Sequence, residues 1–126
     1  MKKFLFLSLL AMGLIAVTGF QSATNAEAAG FKISKKANTV IQAKCYGCHS
    51  AEGKSDKAKA KLMWDDLSGL SAEEQLEKMK NIQMVLQEGK MPPKGFVERM
   101  PDKNITEAEK AIMQKWADKS VAKLSK

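Results

Sequence analysis

Both cysteines of this chain and its only histidine fall within one short run, Cys45-Tyr46-Gly47-Cys48-His49. With no cysteine elsewhere, no disulfide can tie distant parts of the chain together, so any reinforcement beyond side-chain packing has to be held at this one place. Reinforcement matters because the foldable part is small. The first 28 residues are ordered like an export signal: Lys2 and Lys3, an apolar stretch from Phe4 to Val17 interrupted by Ser8, then small residues ending Ala26-Glu27-Ala28. The stretch breaks up at Thr18-Gly19-Phe20-Gln21-Ser22, short of the roughly 20 apolar residues of a spanning helix, and no cysteine stands near the cleavage point to take a lipid. Cleavage after Ala28, with Ala26 as the rival position, leaves residues 29–126 as one domain. An uncleaved signal acting as an N-terminal anchor is the alternative. A domain of this size buries only about two-thirds of the surface its unfolded chain exposes, so a bound group is a natural supplement to its core.

The patterning of residues 29–126 is helical throughout. Gly30 to Ser34 reads as a short leader, and Ala37, Val40 and Ile41 then share a face of a first helix over 35–45. A weaker helix is expected over 57–66, with Leu62 and Met63 as its apolar content. Ser71 and Glu74 have capping-box spacing, Leu76, Met79, Ile82 and Leu86 follow at helical intervals, and Gly89 stands where a left-handed cap ends the element, giving a third helix over 72–88. Met91-Pro92-Pro93 forbids continuation. Thr106 and Glu109 repeat the capping box ahead of a last helix running to about Leu124, with Ala108, Ile112, Lys115 and Trp116 on one face, and 92–105 is read as loop. No window alternates like a strand. The fold class is therefore all-α, about four helices joined by irregular loops.

The spacing C-x-x-C-H matches the attachment signature of a c-type haem, in which each thiol adds to a vinyl group and the adjoining imidazole reaches the iron. Two thiols three positions apart on a helical turn suit this, and the reaction consumes both. The same residues fit other chemistry less well. A structural zinc wants four nitrogen or sulfur ligands and this cluster offers three. A thioredoxin-type pair needs a strand-helix-strand setting, and a disulfide across three positions closes too short a loop to stabilise much. One covalently bound haem is the expected cofactor, with Cys45 and Cys48 carrying it and His49 on the iron.

A single histidine also excludes bis-histidine ligation from this chain alone, so the sixth ligand is a methionine, an unusual lysine or N-terminal amine, or nothing. Residues 29–126 hold Met63, Met79, Met84, Met91, Met100 and Met113. Methionines at helical spacing are gap-filling core by default, which suits Met79 and Met113, while Met84 reads as exposed. Met91 stands outside the third helix in a segment stiffened by two prolines, so its thioether can be aimed without serving a helical face; it is the expected second axial ligand, with Met100 in reserve. A thioether ligand raises the reduction potential, and two protein ligands leave no open position, so the expectation is an electron carrier and not an enzyme. Tyr46 reads as a half-exposed aromatic, and Gly47 would allow close approach of the ring. Trp64 would donate to a propionate or cap a small core, and Trp116 would pack the last helix against Val40 or Ile41 of the first. The second nitrogen of His49 should donate to a carbonyl between Ser50 and Gly53.

The formal net charge is +7, and +6 once Lys2, Lys3 and Glu27 are removed. A basic balance favours acidic protein surfaces or anionic membranes. Nucleic acid fits poorly, since Arg99 is the only arginine and aromatics are few. Lys44, Lys90 and Lys94, beside the proposed haem contacts, are the expected docking lysines for an acidic redox partner.

In Cys45-Tyr46-Gly47-Cys48-His49-Ser50, Trp64, Leu70 to Gln75, Gly89-Lys90-Met91-Pro92-Pro93, and Ile105 to Glu109 leading to Trp116, the sequence resembles the c-type cytochromes, more narrowly the small monohaem proteins of the bacterial haem-binding domain family. The resemblance covers nearly all of residues 29–126. It implies a compact cytochrome c-like fold with N- and C-terminal helices packed crosswise and haem in the cleft between loops. It also implies periplasmic placement, thioethers at Cys45 and Cys48, and axial ligands His49 and Met91. The resulting expectation is a periplasmic electron-transfer protein without stable membrane insertion after signal cleavage. A haem-based sensor or gas binder with a labile Met91 is the alternative, and a peroxidase would likewise need an open iron position.

Overall fold

The computed structural model describes residues 31–126, so the expected export signal lies outside the described residues. Ser34 starts the first helix by accepting from the Ala37 amide at 3.2 Å, and α1 spans Lys35–Val40. The chain then widens into a π turn over Ile41–Cys45, with the Tyr46 amide reaching back to the Ile41 carbonyl, and resumes as α2, Tyr46–His49. The extra residue in that turn rotates Cys45 and everything after it relative to the face formed by Ala37, Val40 and Ile41. Nothing in the sequence marks this, because residues 41–45 would suit an ordinary α-helix equally well.

The next helix, α3 at Asp56–Lys61, is capped by Ser55 and ends at Leu62, whose backbone is extended (φ −155°, ψ 129°). It is therefore shorter than the expected 57–66, and the residues released from it turn towards His49. A 3-10 turn at Leu67–Gly69 leads into α4, Ala72–Gln87. The Ser71–Glu74 capping box is complete in both directions. Gly89, with φ +63°, supplies the left-handed residue that ends the element without a Cβ clash. The stretch read as loop contains α5, Lys94–Val97, and a 3-10 turn at Pro101–Lys103, ahead of α6, Glu107–Leu124, with its own complete Thr106–Glu109 capping box. No strand occurs among the described residues, and the all-α class expected from the sequence is the one observed.

The core lies where α1, the π turn, α4 and α6 meet. It contains Ala37, Val40, Ile41, Trp64, Leu67, Met79, Ile82, Leu86, Met113, Trp116 and Ala117. Met79 and Met113 fill it as expected, and Met84 is exposed. On α4 Gln75, and not Leu76, is fully buried along with Met79, because the Gln75 amide donates to the carbonyls of Leu67 and Ser68 at 3.1 and 3.2 Å. Residues 31–34 are more than a leader: Phe31 and Ile33 pack on the core, Phe31 meets Trp116 edge-on, and the Trp116 indole donates to the Lys32 carbonyl at 3.0 Å.

Candidate haem-binding site

Cys45, Cys48 and His49 are brought together by the π turn and the short helix that follows it, with both thiols unpaired and all three side chains partly buried. Cys45 packs against the core. Burial, followed by the charge of Glu109 and the neighbouring Cys48, pushes its thiol up to about 11, so it stays protonated at neutral pH.

The segment 62–65 forms a support behind this turn. The Leu62 carbonyl lies 2.9 Å from His49 Nδ1, and the Trp64 amide donates to the His49 carbonyl at 2.9 Å. A carbonyl can only accept, so Nδ1 is the donor in this contact, and in the neutral ring Nε2 is the nitrogen available to a metal. The supporting carbonyl thus comes from Leu62 and not from the 50–53 loop, because α3 stops early enough to expose it. Asp65 completes the support: its carboxylate accepts from the Tyr46 hydroxyl and, at 2.8 Å, from the Ala51 amide. These two bonds hold its carboxyl below the usual carboxylate range. Tyr46 is therefore tethered, which its position between the cysteines does not reveal.

The 50–53 loop has a different task. A Cβ on Gly53 would stand 2.5 Å from the Cys48 carbonyl oxygen and 2.8 Å from that of Ser50, so only glycine lets the loop fold back on the motif. By contrast, no atom lies within 4 Å of where a Cβ on Gly47 would point, so packing within the chain does not demand glycine there.

Asp65→Asn keeps the size of the side chain but removes its charge. The variant is expected to unfold at lower denaturant concentration than the parent at pH 7. Because the folded-state value of Asp65 is depressed, its contribution is complete above the ordinary carboxylate range and lost as pH falls through the lowered value. The gap between the two proteins should therefore narrow as pH falls below the ordinary carboxylate range, and an unchanged gap between their unfolding midpoints there would show that the charge is irrelevant.

Met91 lies apart from this cluster. It is 38 % exposed and borders an open cleft of about 310 Å³ that also includes Leu86, Pro92, Val97, Ile105 and Lys110, but not Cys45, Cys48 or His49. Both places border the first turn of α6. Glu107 and Lys110 line the cleft, while Glu109 pairs with Lys44 at 3.8 Å and acts on Cys45. The 101–103 turn is tied to the same region, with Lys44 Nζ donating to the Asp102 carbonyl at 2.7 Å and Lys103 Nζ to the Ala43 carbonyl at 3.2 Å. Met100 is also exposed. Of the lysines expected to face a partner, Lys44 is engaged with Glu109 and Asp102, and Lys90 is paired with Glu88 at 2.6 Å.

Haem can be tested against these residues on two grounds. The donor set fits: two unpaired thiols beside an imidazole whose tautomer leaves Nε2 available. So does Trp64, 7 % exposed, whose indole N–H is buried without an acceptor. A buried donor without a partner costs about 1–3 kcal/mol, and a propionate would supply one. Trp64 also sits in the core beside Trp116, so the two roles expected for it are compatible.

No match was found among curated proteins or among solved structures. A family described as the haem-binding domain matches residues 52–119, more than half of the chain, beginning just past His49 and taking in Trp64, Met91 and Trp116. By that match the chain belongs to the haem-binding domain family.

Proposed function

We propose that the protein is an exported, periplasmic monohaem c-type cytochrome that carries electrons between protein partners and catalyses no reaction itself. The observation that carries this reading is the tautomer imposed on His49: with Nδ1 held by Leu62, Nε2 is free beside two unpaired thiols. Cys45 and Cys48 would hold the haem through thioethers, His49 and Met91 would be its axial ligands, and Trp64 would donate to a propionate. Bound haem supplies an iron that takes up and releases one electron. Leu62 fixes the imidazole plane, a Met91 thioether on the iron would favour the reduced state, and the core behind Cys45 would keep water from the bound group. With Lys44 and Lys90 engaged within the chain, Lys94 is left of the three lysines first considered for meeting an acidic redox partner.

Met91→Ala tests the ligand. Loss of the sulfur-to-iron charge-transfer band is expected, with a fall in potential on the order of 0.2 V, a part of the roughly 0.8 V that axial ligands span. Survival of the band would move the ligand to Met100 or another methionine. The exposure of Met91 in an open cleft favours one second reading, a sensor or gas binder in which this ligand is labile. Carbon monoxide separates the two: the ferrous spectrum of a carrier should be unchanged by it, and that of a sensor should shift.

A further inference from the structure

α1 and its continuation run against α6 in opposite directions. Lys44 meets Glu109 at the start of α6, whereas the Lys32 carbonyl meets Trp116 halfway along it. Phe31 and Lys32 therefore reach α6 about halfway along it, at Trp116, and Phe31, Ile33, Val121 and Leu124 all pack on the same core. The contact at Trp116 brings two groups of lysines together as one basic pole. Lys32, Lys35 and Lys36 come from the first strand of chain and the start of α1. Lys115, Lys119, Lys123 and Lys126 follow one another at intervals of four, four and three, a single stripe along α6 and just beyond its end.

All seven are exposed, and none is in an ion pair among the described residues. The only acid within 31–36 and 115–126 is Asp118, which accepts from Gln83 of α4 at 2.6 Å. Neither the Met91 cleft nor the smaller one lined by Lys59 and Lys78 includes any of these lysines.

We propose that this pole docks on an anionic phospholipid surface, independently of whether the protein carries haem. The argument is charge complementarity. A flat sheet of phosphate headgroups suits dispersed lysine point charges, whereas bidentate recognition of a single carboxylate or phosphate favours arginine, and no arginine is present there. Docking by this end would leave the motif, at the other end of the α1–α6 pair, facing away from the lipid.

The test uses protein recovered after export and sedimented with vesicles, either pure phosphatidylcholine or phosphatidylcholine with phosphatidylglycerol, in low and high salt. Binding is expected only with phosphatidylglycerol and should weaken with salt. A triple variant, Lys35→Gln, Lys119→Gln and Lys123→Gln, should bind on the order of a hundredfold more weakly. A control of equal charge, Lys54→Gln, Lys57→Gln and Lys80→Gln, should stay within a few-fold of the parent, with circular dichroism confirming that both fold. Equal losses in the two variants, or equal binding to both kinds of vesicle, would overturn the proposal. Binding to soluble polyglutamate but not to phosphatidylglycerol would also overturn it, in favour of an acidic protein.

Discussion

Replacing both Cys45 and Cys48 with alanine is expected to yield exported protein whose mass under denaturing conditions is that of the polypeptide alone, while the parent gains the mass of one haem. The effect should be all or none, because these are the only thiols in the chain and the cofactor would have no other covalent hold. Cys48→Ala alone should leave one thioether and one unreacted vinyl, visible as a shifted absorption of the haem in alkaline pyridine. If the parent itself carries no covalently bound mass in a host that matures cytochromes, covalent attachment is overturned. Membership of the haem-binding domain family would stand, and His49 would remain a candidate ligand for a haem held without covalent bonds. The supports behind the turn would persist in either case, since Leu62, Trp64 and Asp65 bind groups that the alanines leave in place.

Trp116→Ala is expected to be the most damaging single change away from the site. The side chain is 6 % exposed, its ring centre lies 6.1 Å from those of both Phe31 and Trp64, and its N–H donates to the Lys32 carbonyl. Truncating a buried tryptophan costs about 3–5 kcal/mol, against a total of roughly 5–15 kcal/mol for a domain. A thermal midpoint lower by about 15 °C or more is the expected readout. Trp116→Phe should recover much of this, losing chiefly the hydrogen bond, worth about 1 kcal/mol. A drop of only a few degrees for the alanine variant would mean that residues 31–34 contribute little to the core. Because Trp64 packs against Trp116, haem loading should suffer along with stability, which ties the pole carrying the lysines to the site at the other end.

The parts of the fold readable from sequence are those decided within four residues. Ser71 with Glu74 and Thr106 with Glu109 close their capping boxes as spaced, because each box satisfies amide protons inside one turn. Gly89 takes its positive φ for an equally local reason. Gln75 shows the limit of such reasoning: a polar residue beside Leu76 occupies the buried position because two carbonyls of the preceding turn are there to receive its protons. The short helix at 94–97 reads as loop in the sequence, since four residues are too few to show any periodicity.

At the candidate site the same division holds. The sequence by itself determined which atoms are available, since one run of residues holds every thiol and the only imidazole. Tertiary structure alone decided how those atoms are presented. The π turn that rotates Cys45, the early end of α3 that gives the Leu62 carbonyl to His49, the Asp65 tether on Tyr46 and the separate cleft at Met91 all depend on partners distant in the chain. A residue's identity fixes its chemistry. Its tautomer, its burial and its direction are set by neighbours that only folding brings near.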